Sequence, residues 1–200
     1  LIVFNGDGNQ YNAAIKNVEK KSVTILTGQC DSINNESPLS IHLGIAISKG
    51  DRMDLVMQKA TELGVTSITP LVSERTEVKL KGERLQKKLQ HWQQITISAC
   101  EQCGRNRIPT VNALSTADDW VKAVEAQRKL VLHHRTEQLL DASLAVTSSA
   151  LLIGPEGGLS EREITAAEQQ GFEALRLGPR VLRTETAPLA AITLLQHTWG

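Results

Sequence analysis

Leu151-Leu-Ile-Gly-Pro-Glu-Gly-Gly-Leu-Ser-Glu-Arg-Glu163 decides how the rest of the chain reads. An apolar run of strand length enters a turn rich in glycine. Ser160 and Glu163 then have the spacing of a helix capping box. Strand, glycine loop and capped helix make one step of a parallel α/β sheet. The same alternation recurs on both sides of it. Strands are expected at 39–47, 67–72, 129–133, 149–153 and 173–177. Met53, Val56, Met57, Ala60 and Leu63 share one helical face closed by Gly64, and Leu85, Leu89, Trp92 and Ala99 mark a longer helix. Thr116-Ala-Asp-Asp119 resembles a second capping box, ahead of Trp120, Val121 and Val124. A last helix is expected from about residue 187, with Pro188 in its first turn. This predicts a mostly parallel sheet covered on both faces.

The amino-terminal part reads differently. Short strands are expected at 1–4, 11–18 and 22–26, around the turn residues Asn5-Gly-Asp-Gly8. They read as the tail of a small β domain whose start is expected outside this sequence, with the polar stretch 31–38 as the expected link to the rest. The expected division is 1–36 for the β remnant with its linker and 37–200 for the α/β domain.

Composition narrows the function classes. The 200 residues carry 22 basic and 22 acidic side chains, so no global field draws the chain to a polyanion. A nucleic acid must be met by a local patch. No apolar run approaches the roughly 20 residues of a membrane span, and no signal peptide is visible. Three cysteines, Cys30, Cys100 and Cys103, are no disulfide framework, and suggest a reducing, cytoplasmic setting. Cys100 and Cys103 have zinc-knuckle spacing, but a second pair is lacking and no metal is expected; they read as small packed residues.

Ligands of open α/β sheets sit beyond the carboxyl ends of the strands. Three late strands end in unusual segments, namely Leu132-His-His-Arg135, Gly154-Pro-Glu-Gly-Gly158 and Gly178-Pro-Arg-Val-Leu-Arg-Thr-Glu-Thr186. Taken singly, a glycine turn can be a tight connection and nothing more. No lysine followed by Ser or Thr stands behind Gly157 or Gly158, so a phosphate loop is disfavoured. The glycine spacing does not suit a dinucleotide either. An uncharged or cationic cofactor held by backbone groups fits better.

These residues resemble a known family. Leu151-Leu-Ile-Gly-Pro-Glu-Gly-Gly158 together with Leu177-Gly-Pro-Arg-Val-Leu-Arg-Thr-Glu-Thr-Ala187 is similar to the RsmE family of SPOUT-class 16S ribosomal RNA (uracil-N3) methyltransferases. Ser73-Glu-Arg-Thr-Glu-Val-Lys79 and Ala99-Cys-Glu-Gln-Cys-Gly-Arg105 also look like its motifs. The resemblance implies a parallel sheet with a carboxyl-terminal trefoil knot, a feature nearly absent from other folds, behind a PUA-like β-barrel remnant. It implies S-adenosyl-L-methionine bound in the knot. Leu132 and His133 would line one edge, Ile153, Gly154, Pro155, Glu156 and Gly157 the second, and Leu177, Gly178, Leu182, Arg183 and Thr184 the third. The partner implied is 16S ribosomal RNA or the small subunit. A SPOUT enzyme acting on another RNA atom, such as a ribose 2′-hydroxyl, and a non-catalytic RNA-binding module are the alternatives.

Methylation at N3 of uracil requires loss of the N3 proton and stabilisation of charge spreading to O2 and O4. Arg183 is the candidate for the charge, unless it braces Glu185. Glu185 is the candidate base, unless it pairs with Arg183; His133 is a weaker candidate. Residues 72–107 hold eight basic side chains against four acidic ones. Within them Arg75, Lys79, Arg105 and Arg107 fall in expected loops and are the candidate RNA contacts. Finally, Thr186 to Gly200 contains no Asp, Glu, Lys or Arg, and its apolar residues point nearly all round a helix. One side can pack on the sheet, and the other calls for a second copy, so a homodimer is expected.

Overall fold

In the computed structural model, which describes residues 2–31, 33–133, 136–143 and 145–200, three strands come first. These are β1 (Ile2–Phe4), β2 (Gln10–Val18) and β3 (Val23–Asp31), paired antiparallel in that order. Alternation follows through β4 (Ser40–Ala46), α1 (Arg52–Glu62), β5 (Ser67–Val72), α2 (Gly82–Cys103), β6 (Thr110–Val111), β7 (Ser115–Thr116) and α3 (Ala117–Ala123). Then come β8 (Arg128–Leu132), β9 (Ser148–Ile153), α4 (Glu161–Gln169), β10 (Phe172–Leu175) and α5 (Thr186–Trp199). The second sheet has the order β10-β8-β9-β4-β5-β6, with β7 also on β5, and its pairings are all parallel.

The middle of this sheet is apolar on both sides, and the strand period sorts its residues between two cores. Leu151 and Ile153 of β9 face the core that Met53 and Met57 of α1, Trp92 of α2, and Ile192 and Leu195 of α5 complete. Ala150 and Leu152 face the other, with Trp120 and Val121 of α3 and Ala167 of α4. Each large apolar side chain so buried is worth about 1.5–3 kcal/mol. Gly44 in β4 is required by contact, since a Cβ there would lie 2.7 Å from the Trp120 ring. The capping box expected at Ser160 forms in full, whereas at Thr116 only its first half does, because the Asp119 carboxylate accepts from Thr116 Oγ1 (2.7 Å) and not from the backbone. The Thr116 side chain accepts from Asp119 N, and Ser160 and Glu163 complete a reciprocal capping box.

Several expectations need correction. The strand expected at 22–26 runs on to Asp31, into the expected linker, because Asp31 still pairs with Gln10 of β2. The strand expected at 173–177 spans Phe172–Leu175, because the Arg176 amide leaves the ladder and donates to Gln138 O (2.9 Å). The two-residue strands β6 and β7 were not anticipated, being too short to show a period. Cys103 is exposed rather than packed, whereas Cys100 is buried and burial pushes its thiol up to about 11. Leu1, His134 and Arg135, which fell in expected strand or strand-end segments, lie outside the described residues.

Arg105 is the largest departure from the expected RNA contacts. Its side chain is 7% exposed, and its guanidinium makes a fork with Glu36 (Nε–Oε1 3.0 Å, Nη2–Oε2 2.6 Å). Nη1 also donates to Thr61 O (2.7 Å) and Val65 O (3.0 Å). The charge is spent joining Glu36 to the end of α1, so it is no phosphate contact. Asn106 and Arg107 continue the seam, through Gly8 N to Asn106 O and a β-bridge between Asp7 and Arg107. Arg105→Ala would leave Glu36 partly buried without its partner. It should cost about 3 kcal/mol, read as a lower urea midpoint at unchanged slope.

Candidate active site

Parallel strands all point their carboxyl ends one way, so β8, β9 and β10 deliver their following loops to the same place. There the loops enclose a cavity of about 580 Å³. Every residue expected at a cofactor site lines it: Leu132 and His133; Ile153, Gly154, Pro155, Glu156 and Gly157; Leu177, Gly178, Leu182, Arg183 and Thr184. Glu185 lines it as well.

The middle loop is held by backbone geometry. Gly158 has φ +70°, and its amide donates to Pro155 O (2.8 Å). A Cβ on Gly154 would meet Leu159 N at 2.8 Å and Leu159 Cγ at 2.9 Å. Crowding by the loop's own backbone is reason enough for glycine here. Beyond the loop the buried Glu163 accepts from Ser160 N (2.8 Å) through one oxygen and from Glu74 N (2.9 Å) through the other. One carboxylate thus joins the start of α4 to the loop after β5.

In the third loop Gly178 has φ +101°, a conformation that disfavours any side chain. Its carbonyl accepts from Arg176 Nε (3.0 Å). The Arg183 carbonyl receives the first two amides of α5, those of Thr186 (3.0 Å) and Ala187 (2.9 Å). The Arg183 side chain is exposed and makes no ion pair among the described residues. The pair that Arg183 and Glu185 could have formed is therefore not seen. Instead Glu185 Oε2 lies 3.8 Å from Arg52 Nε and accepts from Thr184 Oγ1 (3.3 Å).

Five guanidinium groups border the cavity, from Arg52, Arg75, Arg176, Arg180 and Arg183, against the carboxylates of Glu156 and Glu185. Arg52 Nη1 donates to Glu156 Oε1 (2.6 Å), which also accepts from Lys49 N (3.3 Å). Partial burial pushes the Glu156 carboxyl up. The backbone N–H donors and Arg52 outweigh that and hold it below the usual range. Arg75 Nη1 donates to Gly157 O (2.8 Å) and, more weakly, to Leu159 O (3.4 Å). Arg176 pairs with Glu137. Arg180, like Arg183, keeps its charge uncommitted among the described residues.

Sequence reasoning placed Arg75 at the RNA and left Arg52 out altogether. The signal for Arg52 was available, since Lys49-Gly-Asp-Arg52 follows the carboxyl end of an expected strand. A second cavity of about 480 Å³ adjoins the first and shares Arg52, Arg75, Glu156 and Gly157 with it. Lys79 and Arg107, the other candidate RNA contacts, are exposed.

Known proteins resemble this chain over its whole length. Residues 35–196 match the family model of the RNA methyltransferase domain. The chain is 41% identical to ribosomal RNA small subunit methyltransferase E of Buchnera aphidicola subsp. Schizaphis graminum, covering 100% of this chain and 82% of that one. Against the Bacillus subtilis protein of the same name the identity is 31%, covering 98% and 81%. The crystal structure of a ribosomal RNA small subunit methyltransferase E from Neisseria gonorrhoeae bound to S-adenosyl methionine superimposes with TM-score 0.92. It is 40% identical, with 100% of this chain and 83% of that one covered.

The crowding at Gly154 gives a direct expectation. Gly154→Ala should destabilise the fold by about 1–3 kcal/mol, the scale of overpacking. Gly157→Ala, whose Cβ would meet only Arg75 side-chain atoms at 3.4 Å or more, should cost less. Thermal melts of the two variants check the order.

Proposed function

Because the chain belongs to the RNA methyltransferase domain family, alongside the small subunit methyltransferase E proteins, we propose that it methylates N3 of a uridine in 16S ribosomal RNA, with S-adenosyl-L-methionine as donor. The observation that carries this reading is the one cavity into which all three late-strand loops turn, on a chain similar over its whole length to a protein crystallised with that cofactor. The residues suit the group. The cavity has the volume of a small-molecule site, with apolar walls from Leu132, Ile153 and Leu182. Its glycine loops expose backbone donors and acceptors. When bound, the cofactor supplies an electrophilic methyl on sulfur.

The chain's own residues then have defined tasks. Glu185 is the proposed acceptor of the N3 proton, facing the cavity with Arg52 beside it. Arg183, whose guanidinium is not committed elsewhere among the described residues, stabilises charge spreading to the uracil oxygens. Lys79, Arg107, Arg180 and the remaining N–H groups of Arg75 meet phosphates. Such contacts position RNA without reading its sequence. This work belongs in the cytoplasm, where small subunits are assembled; no helix among the described residues is long and apolar enough to cross a membrane.

The same reading includes a trefoil knot, with α5 packed back on α1 and β9 after the 176–185 loop. It takes residues 1–36 as part of a PUA-like domain with its linker and 37–200 as the methyltransferase domain. It also includes a homodimer. Pro188, Ala191, Ile192 and Leu195 of α5 are buried, whereas Leu189, Ala190, Thr193 and Leu194 on the other side are not. A two-fold partner on that side would cover the uncharged face.

Small-subunit RNA treated with the protein and the cofactor should gain 3-methyluridine on nucleoside mass mapping; a 2′-O-methyl mark in its place would move the target to the ribose. Arg183→Ala should keep cofactor binding and slow transfer about 10²-fold, and wild-type turnover would remove it from the mechanism. Light scattering at micromolar concentration should give twice the chain mass. A stable, fully active monomer would end the dimer reading.

A further inference from the structure

The loop Gly154-Pro-Glu-Gly-Gly158 has a mechanical problem. Three of its five residues are glycine and one is proline, so Glu156 carries its only polar side chain. Glycine loses more freedom on ordering than any other residue. A loop of this composition keeps its shape only if its few attachable groups are held.

Arg52 holds that side chain. It stands in the first turn of α1, just beyond the carboxyl end of β4, the strand paired with β9. Nη1 donates to Glu156 Oε1 at 2.6 Å, and Nε faces Glu185 Oε2 at 3.8 Å. Glu185 is the N-cap residue of α5, yet its side chain makes no capping hydrogen bond. One guanidinium therefore spans the middle loop and the end of the third. Without it two carboxylates would share that wall, with the Lys49 ammonium drawn away to Glu77.

We propose that Arg52 is a positioning residue that closes the cofactor cavity by tying its middle loop, through Glu156, to the start of α5, through Glu185. The proposal rests on the methyltransferase reading and adds a residue that touches no reacting atom. Arg52 and Glu156 also line both of the adjoining cavities, so the pair stands where the two meet. Lysine can replace the charge but not the fork, because its ammonium is a single point.

Calorimetry on the full chain with S-adenosylhomocysteine as probe tests this. Arg52→Ala should weaken binding about 10-fold, and Arg52→Lys should recover only part of the loss, to about 3-fold below wild type. Glu156→Ala should weaken binding to a similar extent while leaving α1 whole, and it carries the test alone if Arg52→Ala melts many degrees lower. The variant Arg52→Ala/Glu156→Ala should bind no worse than about 2-fold below either single variant, as two ends of one contact do. Unchanged affinity in a well-folded Arg52→Ala, or losses that multiply in the double variant, would overturn the proposal. A wild-type chain that binds neither S-adenosylhomocysteine nor S-adenosylmethionine would instead overturn the methyltransferase reading.

Discussion

Strand β9 has no free side. Ser149 to Ile153 are at most 3% exposed; β4 and β8 take both of its edges, and a helical layer covers each face. Every backbone group along it must pair within the sheet, because water cannot reach it. The chain can change direction only where the strand ends, and there the packing leaves no room for a Cβ on Gly154. The site inherits its position from that constraint. The neighbouring parallel strands end on the same side, and their loops have nowhere to go but around the same cavity.

The arginines show how one residue type divides its work by surroundings. Arg105 is buried against Glu36 and two carbonyls, where it joins the stretch before β4 to the end of α1. Arg75 and Arg52 face the cavity, but spend donors on the glycine loop, one on Gly157 O and the other on Glu156. Arg183 and Arg180 remain exposed with uncommitted charge among the described residues, which suits them to an incoming polyanion. A neutral chain can thus present a basic mouth, because five arginines border it against two carboxylates.

Much of this was legible in the residues themselves. Period, capping signals and glycine punctuation located the long elements, since each depends on neighbours a few positions apart. Ser160 with Glu163 formed the capping box its spacing announced, and Thr116 with Asp119 formed half of one. The twelve expected cofactor-site residues share one cavity because each follows, or ends, a strand that could be recognised from its own apolar run.

Partnerships across long separations were not legible. Arg105 looks like a loop cation in sequence; Glu36, 69 residues away, makes it a buried structural charge. Arg52 and Glu156 are 104 residues apart, and only the pairing of β4 with β9 brings them within 2.6 Å. The early end of β10 was likewise decided by a distant carbonyl, Gln138 O, which drew the Arg176 amide out of the ladder. Local sequence therefore determined which segments become strands, helices and turns, because those follow from short-range sterics and hydrogen bonds. The burial and pairing of charges was decided by the tertiary structure, because a charge's role depends on which groups the folded sheet sets beside it.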